Sequence, residues 1–219
     1  MAGALLFDLD GTLIASDPLH VEVFIAFFAE RGIAIDAADY AAQMHGRMNE
    51  AIFASYFPGQ DATALAAAKE AAFRARLGAS VPATPGILAL LDRADAAGLP
   101  CAVVTNAPPD NAAAMLAAIG LADRFRTVVC AADVARGKPH PEPYRLALHR
   151  LGAAANESLA FEDSPTGIAS ALAAGLTTIG LRSSHGDAAL RTAGAVATIE
   201  DFTDPALGPL LARLAGAEA

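Results

Sequence analysis

Asp8-Leu9-Asp10-Gly11-Thr12-Leu13 follows directly on the apolar run Ala4-Leu5-Leu6-Phe7. The run reads as a short buried strand, and Gly11 reads as the turn that ends it. Two aspartates then lie at the carboxyl end of a strand, where open α/β sheets place their ligand sites. Side chains two apart on a strand point the same way, so both carboxylates face one spot if the strand runs to Asp10. One can attack phosphorus as a nucleophile while the other moves protons. Taken alone, the hexapeptide is equally a polar turn.

Three further polar clusters lie at or near expected strand ends. Val103-Val104 leads into Thr105-Asn106, Leu159-Ala160-Phe161 leads into Glu162-Asp163-Ser164-Pro165, and the segment after Cys130 reaches Arg136-Gly137-Lys138-Pro139. In a parallel sheet all strand carboxyl ends emerge on one side, so the clusters should converge. Their chemistry is complementary. Glu162 and Asp163 would repel the nucleophile Asp8 unless a cation sits between them, and Mg²⁺ suits an oxygen-only donor set. The same ion would ease the approach of a phosphate dianion to a carboxylate. Lys138 supplies positive charge for phosphate oxygens, Thr105 a hydroxyl and Asn106 a backbone N–H. Singly, each has a plainer reading. Lys138-Pro139 suits an ordinary loop, Thr105-Asn106 suits a helix cap, and Ser164-Pro165 suits an N-cap followed by Pro in the first turn.

The elements that must hold these groups alternate from Pro85 onward. Helices are expected over 86–97, 110–119, 141–151, 165–174 and about 205–214, and strands over 101–105, 127–130, 159–162, 177–181 and 195–199. Strands alternating with helices imply an α/β fold with a doubly wound parallel sheet and right-handed crossovers. Between Ser16 and Pro82 the pattern is helical throughout, with expected helices after Ser16, from about Ala37 to Tyr56 and from about Asp61 to Leu77. The expected division is therefore a core domain of residues 1–15 and 81–219 and an inserted all-helical domain of residues 16–80.

Composition narrows the function classes. The 219 residues carry a formal net charge of −9, which argues against a nucleic-acid binder while leaving a locally positive anion site possible. Cys101 and Cys130 are the only cysteines, and both lie in apolar segments. They read as buried thiols in a reducing compartment, too few for a disulfide framework or a zinc site. No apolar run approaches the length of a membrane span, and no basic region precedes the first apolar stretch. The expected setting is cytoplasmic, and the expected state is a monomer.

In this order, the clusters resemble the motifs of the haloacid dehalogenase-like (HAD) hydrolase superfamily over nearly the whole chain. Asp8-Leu9-Asp10-Gly11-Thr12 resembles its first motif, Thr105 its second, Lys138 its third and Glu162-Asp163 its fourth. The helical insertion resembles the family's small cap domain. Ser16, His20, His45-Gly46-Arg47, Pro85-Gly86-Ile87 and Glu162-Asp163-Ser164-Pro165-Thr166-Gly167 resemble the branch that contains β-phosphoglucomutase and phosphoglycolate phosphatase. The resemblance implies a Mg²⁺-dependent phosphatase acting on a small phosphorylated metabolite, a sugar phosphate or a phosphoglycolate-like compound. Asp8 would become an aspartyl phosphate, and Asp10 would serve as acid and then base. Asp8, the Asp10 backbone carbonyl and Asp163 would hold Mg²⁺, with Glu162 as a ligand or a supporting partner. Thr105 and Lys138 would hold the phosphate.

The resemblance also gives the insertion a share in substrate binding, through His20, Gly46, Arg47 and Lys69. Arg47 and Lys69 approximately match cap residues of β-phosphoglucomutases and could hold a second phosphate or a carboxylate. Each also suits a solvated surface charge, and His20 suits packing. A mutase is the second reading and a non-catalytic binding protein the third. Against the mutase, Arg47 follows Gly46 directly, Ala107-Pro108-Pro109 stands where mutases carry a polar or basic residue, and Ala15 replaces a frequent acidic residue. Intact Asp8, Asp10, Lys138 and Asp163 speak against a non-catalytic protein.

Overall fold

Leu5, Leu6 and Phe7 are fully buried in the computed structural model, which describes residues 3–44 and 47–214. They form β1 (Leu5–Phe7), a strand apolar on both faces, as a strand in the middle of a parallel sheet must be. Its residues pair in parallel with Cys101–Val103 on one side and with Leu159–Phe161 on the other.

The chain divides into two compact units, one of residues 16–79 and one of residues 1–15 and 80–219. The first holds α1 (Asp17–Ala29), α2 (Ala37–Gln43), α3 (Asn49–Tyr56) and α4 (Ala62–Arg76). Its core is aromatic: Phe24, Phe27, Phe28, Phe53 and Phe57 pack with Met44 and Ile52. Asp36 and Asp39 begin α2 with a capping box, and the Asp61 carboxylate caps α4. The single helical stretch expected from Ala37 to Tyr56 is two helices. Met44 leaves helical backbone at φ −123°, and Met48 is extended before Ile52 N–H bonds back to it. The buried residues Met44, Ile52 and Phe53 keep helical spacing across the break, so the apolar period hides it.

The second unit continues from β1 through α5 (Ile87–Ala96), β2 (Cys101–Val104), α6 (Pro109–Ala118), β3 (Thr127–Val129) and α7 (Glu142–Leu151). Then come β4 (Leu159–Glu162), α8 (Pro165–Ala173), β5 (Thr177–Leu181), α9 (Asp187–Thr192), β6 (Ala197–Ile199) and α10 (Leu207–Leu214). All six strands are parallel, in the order β3-β2-β1-β4-β5-β6. This is the α/β doubly wound sheet expected of the chain. The sequence pattern misses α9, whose one buried residue, Leu190, gives no period to read.

Strand order reverses beside β1, since β2 lies on one side and β4 on the other. Connections leave a crevice at that point, outside the strand carboxyl ends, and Asp8 opens into it. Phe7 stacks on Phe161 at 4.9 Å, and Phe202 meets both rings edge-on, so the strand below Asp8 is held by tight packing. Cys101 and Cys130 are free and buried, and burial pushes the Cys101 thiol up to about 12. Among the described residues, no helix is long and apolar enough to cross a membrane.

Candidate active site

β1 ends at Phe7, so strand alternation does not aim Asp8 and Asp10, which would require the strand to run to Asp10. A tight turn follows instead. The Leu9 carbonyl accepts from the N–H groups of Thr12, Leu13 and Ile14, and Asp10 forms an isolated bridge with Ile14. Gly11 sits in this turn at φ +72°, where a Cβ would also lie 2.1 Å from Asp163 Oδ2. Only glycine meets both conditions. The turn therefore brings the backbone of the first motif against the carboxylate of the fourth.

Phe7 is level with Val103 and Phe161, so Asp8 and Glu162 leave adjacent strands side by side, and Thr105 leaves its strand one step later. Asp8, Glu162 and Asp163 are buried, and their ligand oxygens lie within 4.8 Å of one another. Lys138 Nζ donates to Asp8 Oδ1 and to Glu162 Oε1, each at 2.6 Å. Carboxylates outnumber the ammonium in this cluster three to one. Burial holds the Asp8 carboxyl well above its usual range; the Lys138 charge opposes this in part, and Glu162, Asp163 and Asp10 add to it. Burial alone would lower Lys138, but Asp8 and Glu162 outweigh it and raise the ammonium above its ordinary value. The donor set is all oxygen and its excess charge is negative, which fits a hard divalent cation such as Mg²⁺. The Asp10 carboxylate is not in this oxygen cluster.

Lys138 is placed by Asn106, which the sequence suggests as a backbone donor to phosphate. The Asn106 amide accepts from Lys138 N–H at 2.9 Å and donates to the Lys138 carbonyl at 3.2 Å. Gly137 allows this clamp, since a Cβ there would lie 2.6 Å from Asn106 Oδ1. Thr105 is buried, its N–H bonded to Val129 and its hydroxyl accepting from Ala107 N–H at 3.0 Å.

Two contributors are not evident from the sequence motifs. Tyr144, fully buried on α7, donates to Glu162 Oε1 at 2.5 Å, the same oxygen that Lys138 holds. Burial and the neighbouring carboxylates raise its phenol, which keeps the donor protonated. Ser183, just past β5, donates to the Gly11 carbonyl at 2.6 Å and reaches Asp163 Oδ2 at 3.5 Å. The run Tyr144, Ala147, Leu148 marks a buried helix face, and a tyrosine on such a face needs a partner for its hydroxyl. Nothing in sequence spacing marks Ser183.

Tyr144→Phe is expected to fold and to be less stable by about 1–3 kcal/mol, the cost of a buried carboxylate losing a donor. Urea unfolding of the metal-free protein measures it. A change below about 0.5 kcal/mol, the range of ordinary surface substitutions, would show that Lys138 alone satisfies Glu162.

The remaining candidates lie in the helical unit. His20, Arg47 and Lys69 line a cavity of about 220 Å³ together with Asp17, Asn49 and Glu70. Lys69 is buried, and its Nζ meets His20 Nδ1 at 2.8 Å and Glu70 Oε1 at 2.9 Å. It also lies 4.7 Å from the centre of the Phe24 ring. Glu70 accepts from Asn49 Nδ2 at 2.5 Å. The Arg47 guanidinium donates to the carbonyls of Gln43 and Ala51. Gly46 lies outside the described residues.

A family model described as haloacid dehalogenase-like hydrolase matches residues 5–181. The validoxylamine A 7′-phosphate phosphatase of Streptomyces hygroscopicus subsp. limoneus is 33% identical over 216 residues, covering 93% of this chain and 97% of that protein. The phosphoglycolate phosphatase of Rhodospirillum rubrum is 36% identical, covering 92% and 88%. The crystal structure of CbbY from Rhodobacter sphaeroides in complex with phosphate superposes with a TM-score of 0.81 at 30% identity, covering 95% of this chain and 97% of that one. Fold, motif order and these relatives agree: the chain belongs to the haloacid dehalogenase-like hydrolases, as an enzyme of their phosphatase branch.

Proposed function

We propose that this enzyme is a Mg²⁺-dependent phosphatase that hydrolyses a small phosphorylated metabolite through an aspartyl phosphate on Asp8. The observation that carries this reading is Lys138 spanning Asp8 and Glu162 beside Asp163. An ammonium placed on the nucleophile neutralises charge where a phosphate dianion must approach. An Asp8 oxygen attacks phosphorus, and the bond from phosphorus to the substrate oxygen breaks. Asp10, protonated, gives its proton to that leaving oxygen. As a carboxylate it then takes a proton from water, whose oxygen attacks the same phosphorus and frees Asp8. Thr105 and Lys138 hold the phosphoryl oxygens.

Asp8 and Asp163, with the Asp10 backbone carbonyl, would hold the Mg²⁺, which shields the nucleophile from the incoming dianion. Glu162 serves best as the anchor of Lys138, because its Oε1 already accepts from both Lys138 and Tyr144. Substrate binding by His20, Arg47 and Lys69, which line the cavity of the helical unit, belongs to this proposal.

The test is Asp10→Asn. We expect it to lose about a hundredfold to ten-thousandfold in turnover, the usual share of general acid–base catalysis, while still binding Mg²⁺ in calorimetry. Burst kinetics should show the phosphoenzyme accumulating on a rapidly leaving ester such as p-nitrophenyl phosphate, since only the second step still needs the base. Near-normal steady-state turnover would remove Asp10 from this role.

A further inference from the structure

The loop that leaves β5 crosses the site. β5 lies beside β4 and β4 beside β1, so residues 182–186 pass the end of β4 to reach the turn that follows β1. The root of the loop is fixed. Arg182 N–H donates to the Ile199 carbonyl at 2.9 Å, and the Arg182 guanidinium donates to the Thr198 carbonyl and hydroxyl, each at 3.1 Å. Ser183 follows directly, and its hydroxyl donates to the Gly11 carbonyl at 2.6 Å. A hydroxyl has one proton, and this nearer acceptor takes it, with Asp163 Oδ2 standing alongside at 3.5 Å. His185 holds the main chain of Asp163. A carbonyl only accepts, so the His185 Nδ1 that meets the Asp163 carbonyl at 3.2 Å carries the proton.

Gly11 is the joint on which these contacts bear. A glycine at φ +72° has no side chain to restrict it, so its two peptides need an outside hold. On one side, Gly11 N–H donates to the Ile14 carbonyl at 2.8 Å, and the trans peptide turns the Asp10 carbonyl away from Ile14. On the other side, the Gly11 carbonyl is held by Ser183. The Gly11 backbone also lies against Asp163 Oδ2, since a Cβ there would be 2.1 Å from that oxygen. Ser183 therefore governs how the Asp10–Gly11 backbone meets the Asp163 carboxylate. The Asp10 carbonyl and that carboxylate are two of the groups proposed to hold Mg²⁺. Mg²⁺ demands near-ideal octahedral ligands at about 2.0–2.1 Å, whereas Ca²⁺ accepts about six to eight oxygens in flexible geometry. A site held rigid on both strands favours the smaller ion.

We propose that Ser183 is a positioning residue that fixes the Asp10–Gly11 backbone against the Asp163 carboxylate and so makes the site select Mg²⁺ over Ca²⁺. The inference rests on the phosphatase reading for the placing of the metal, and its tests need no turnover. Ser183 is exposed, so its hydroxyl can be removed with little loss of packing.

Mg²⁺ and Ca²⁺ are titrated separately into the metal-free protein by calorimetry. Ser183→Ala should raise the Kd for Mg²⁺ by roughly tenfold, the usual effect of losing a group that orients a metal ligand. The Kd for Ca²⁺ should rise by less than about threefold, because that ion tolerates a looser set of oxygens. Ser183→Thr keeps the hydroxyl and should bring the Mg²⁺ affinity back to within about threefold of the wild type. The urea midpoint of the metal-free Ser183→Ala protein should stay at the wild-type value, which separates positioning from folding. A Mg²⁺ Kd that Ser183→Ala raises by less than about threefold overturns the proposal. Equal losses for both ions overturn it too, and a lowered urea midpoint beside them would mark Ser183 as a structural residue. A wild type that binds Mg²⁺ with this selectivity yet releases no phosphate from any ester would sink the phosphatase reading and leave the role of Ser183 standing. Normal phosphate release with a Mg²⁺ Kd that Ser183→Ala leaves unmoved would do the reverse.

Discussion

Asp8→Asn is expected to bring turnover down by at least about ten-thousandfold, the scale seen when a catalytic nucleophile is removed, and at the same time to stabilise the metal-free protein. The two effects have one cause. Asp8 is buried beside Glu162 and Asp163, and burial and those charges together outweigh the help from Lys138. Its folded pKa is raised, so folding takes up a proton between the ordinary value of 3.8 and the raised one. The fold therefore weakens as pH rises through that window and stays weakened above it. An amide of the same shape removes this penalty, and Lys138 keeps Glu162 as its partner. The melting temperature of the metal-free Asp8→Asn protein should exceed that of the wild type at neutral pH, by about 2–4 °C for each kcal/mol released. Mg²⁺ should reverse the ranking. A ligand at a hundred times its Kd adds about 2.7 kcal/mol to the wild type, and less to a variant that lacks one of its oxygens. Scanning fluorimetry with and without Mg²⁺ measures all of this. A variant less stable than the wild type without metal would mean that Asp8 is a structural partner of Lys138 more than a strained nucleophile.

The amino-acid sequence carries the origins of this charge balance unevenly. The fold is legible because fully buried strands such as Leu159–Glu162 and helices ended by glycine alternate with little ambiguity. The convergence of Asp8, Glu162 and Asp163 follows from one rule about parallel sheets and needs no side-chain information, whereas Lys138 comes nine residues after its strand. What escapes depends on side chains meeting across the fold. Asn106 reads as a backbone donor, yet its amide clamps Lys138, a pairing fixed by two loops 32 residues apart in sequence. Tyr144 looks like one more apolar residue on α7 until its hydroxyl is seen on Glu162. Arg47 and Lys69 read as cations that could hold a second phosphate or a carboxylate, or as solvated charges, and spacing does not show their neighbours, Glu70 beside Lys69 and two backbone carbonyls beside Arg47.

Lys138→Met should be the mirror of Asp8→Asn. It fills a similar volume and removes the cation from among three buried carboxylates. Breaking a buried ion pair on one side costs about 3–5 kcal/mol, because the charge left behind has lost its counter-ion. The raised pKa of Lys138 sets where this matters. A lysine held above its unfolded value contributes fully at all pH values below about 10.4, the ordinary value, so the loss should be constant across the neutral range. It should fade only at alkaline pH, as the wild-type ammonium itself gives up its proton. Turnover should fall by about a hundredfold to a thousandfold, the share of a single donor that meets charge in the transition state. The double variant Asp8→Asn, Lys138→Met then separates charge from packing. If the cluster is governed by excess negative charge, replacing Asp8 stabilises the Lys138→Met protein by more than it stabilises the wild type, with a coupling of about 0.5–3 kcal/mol. Additive effects in urea unfolding would mean that excess negative charge does not couple these two groups, and that the charge balance drawn from the three carboxylates is not what holds this site together.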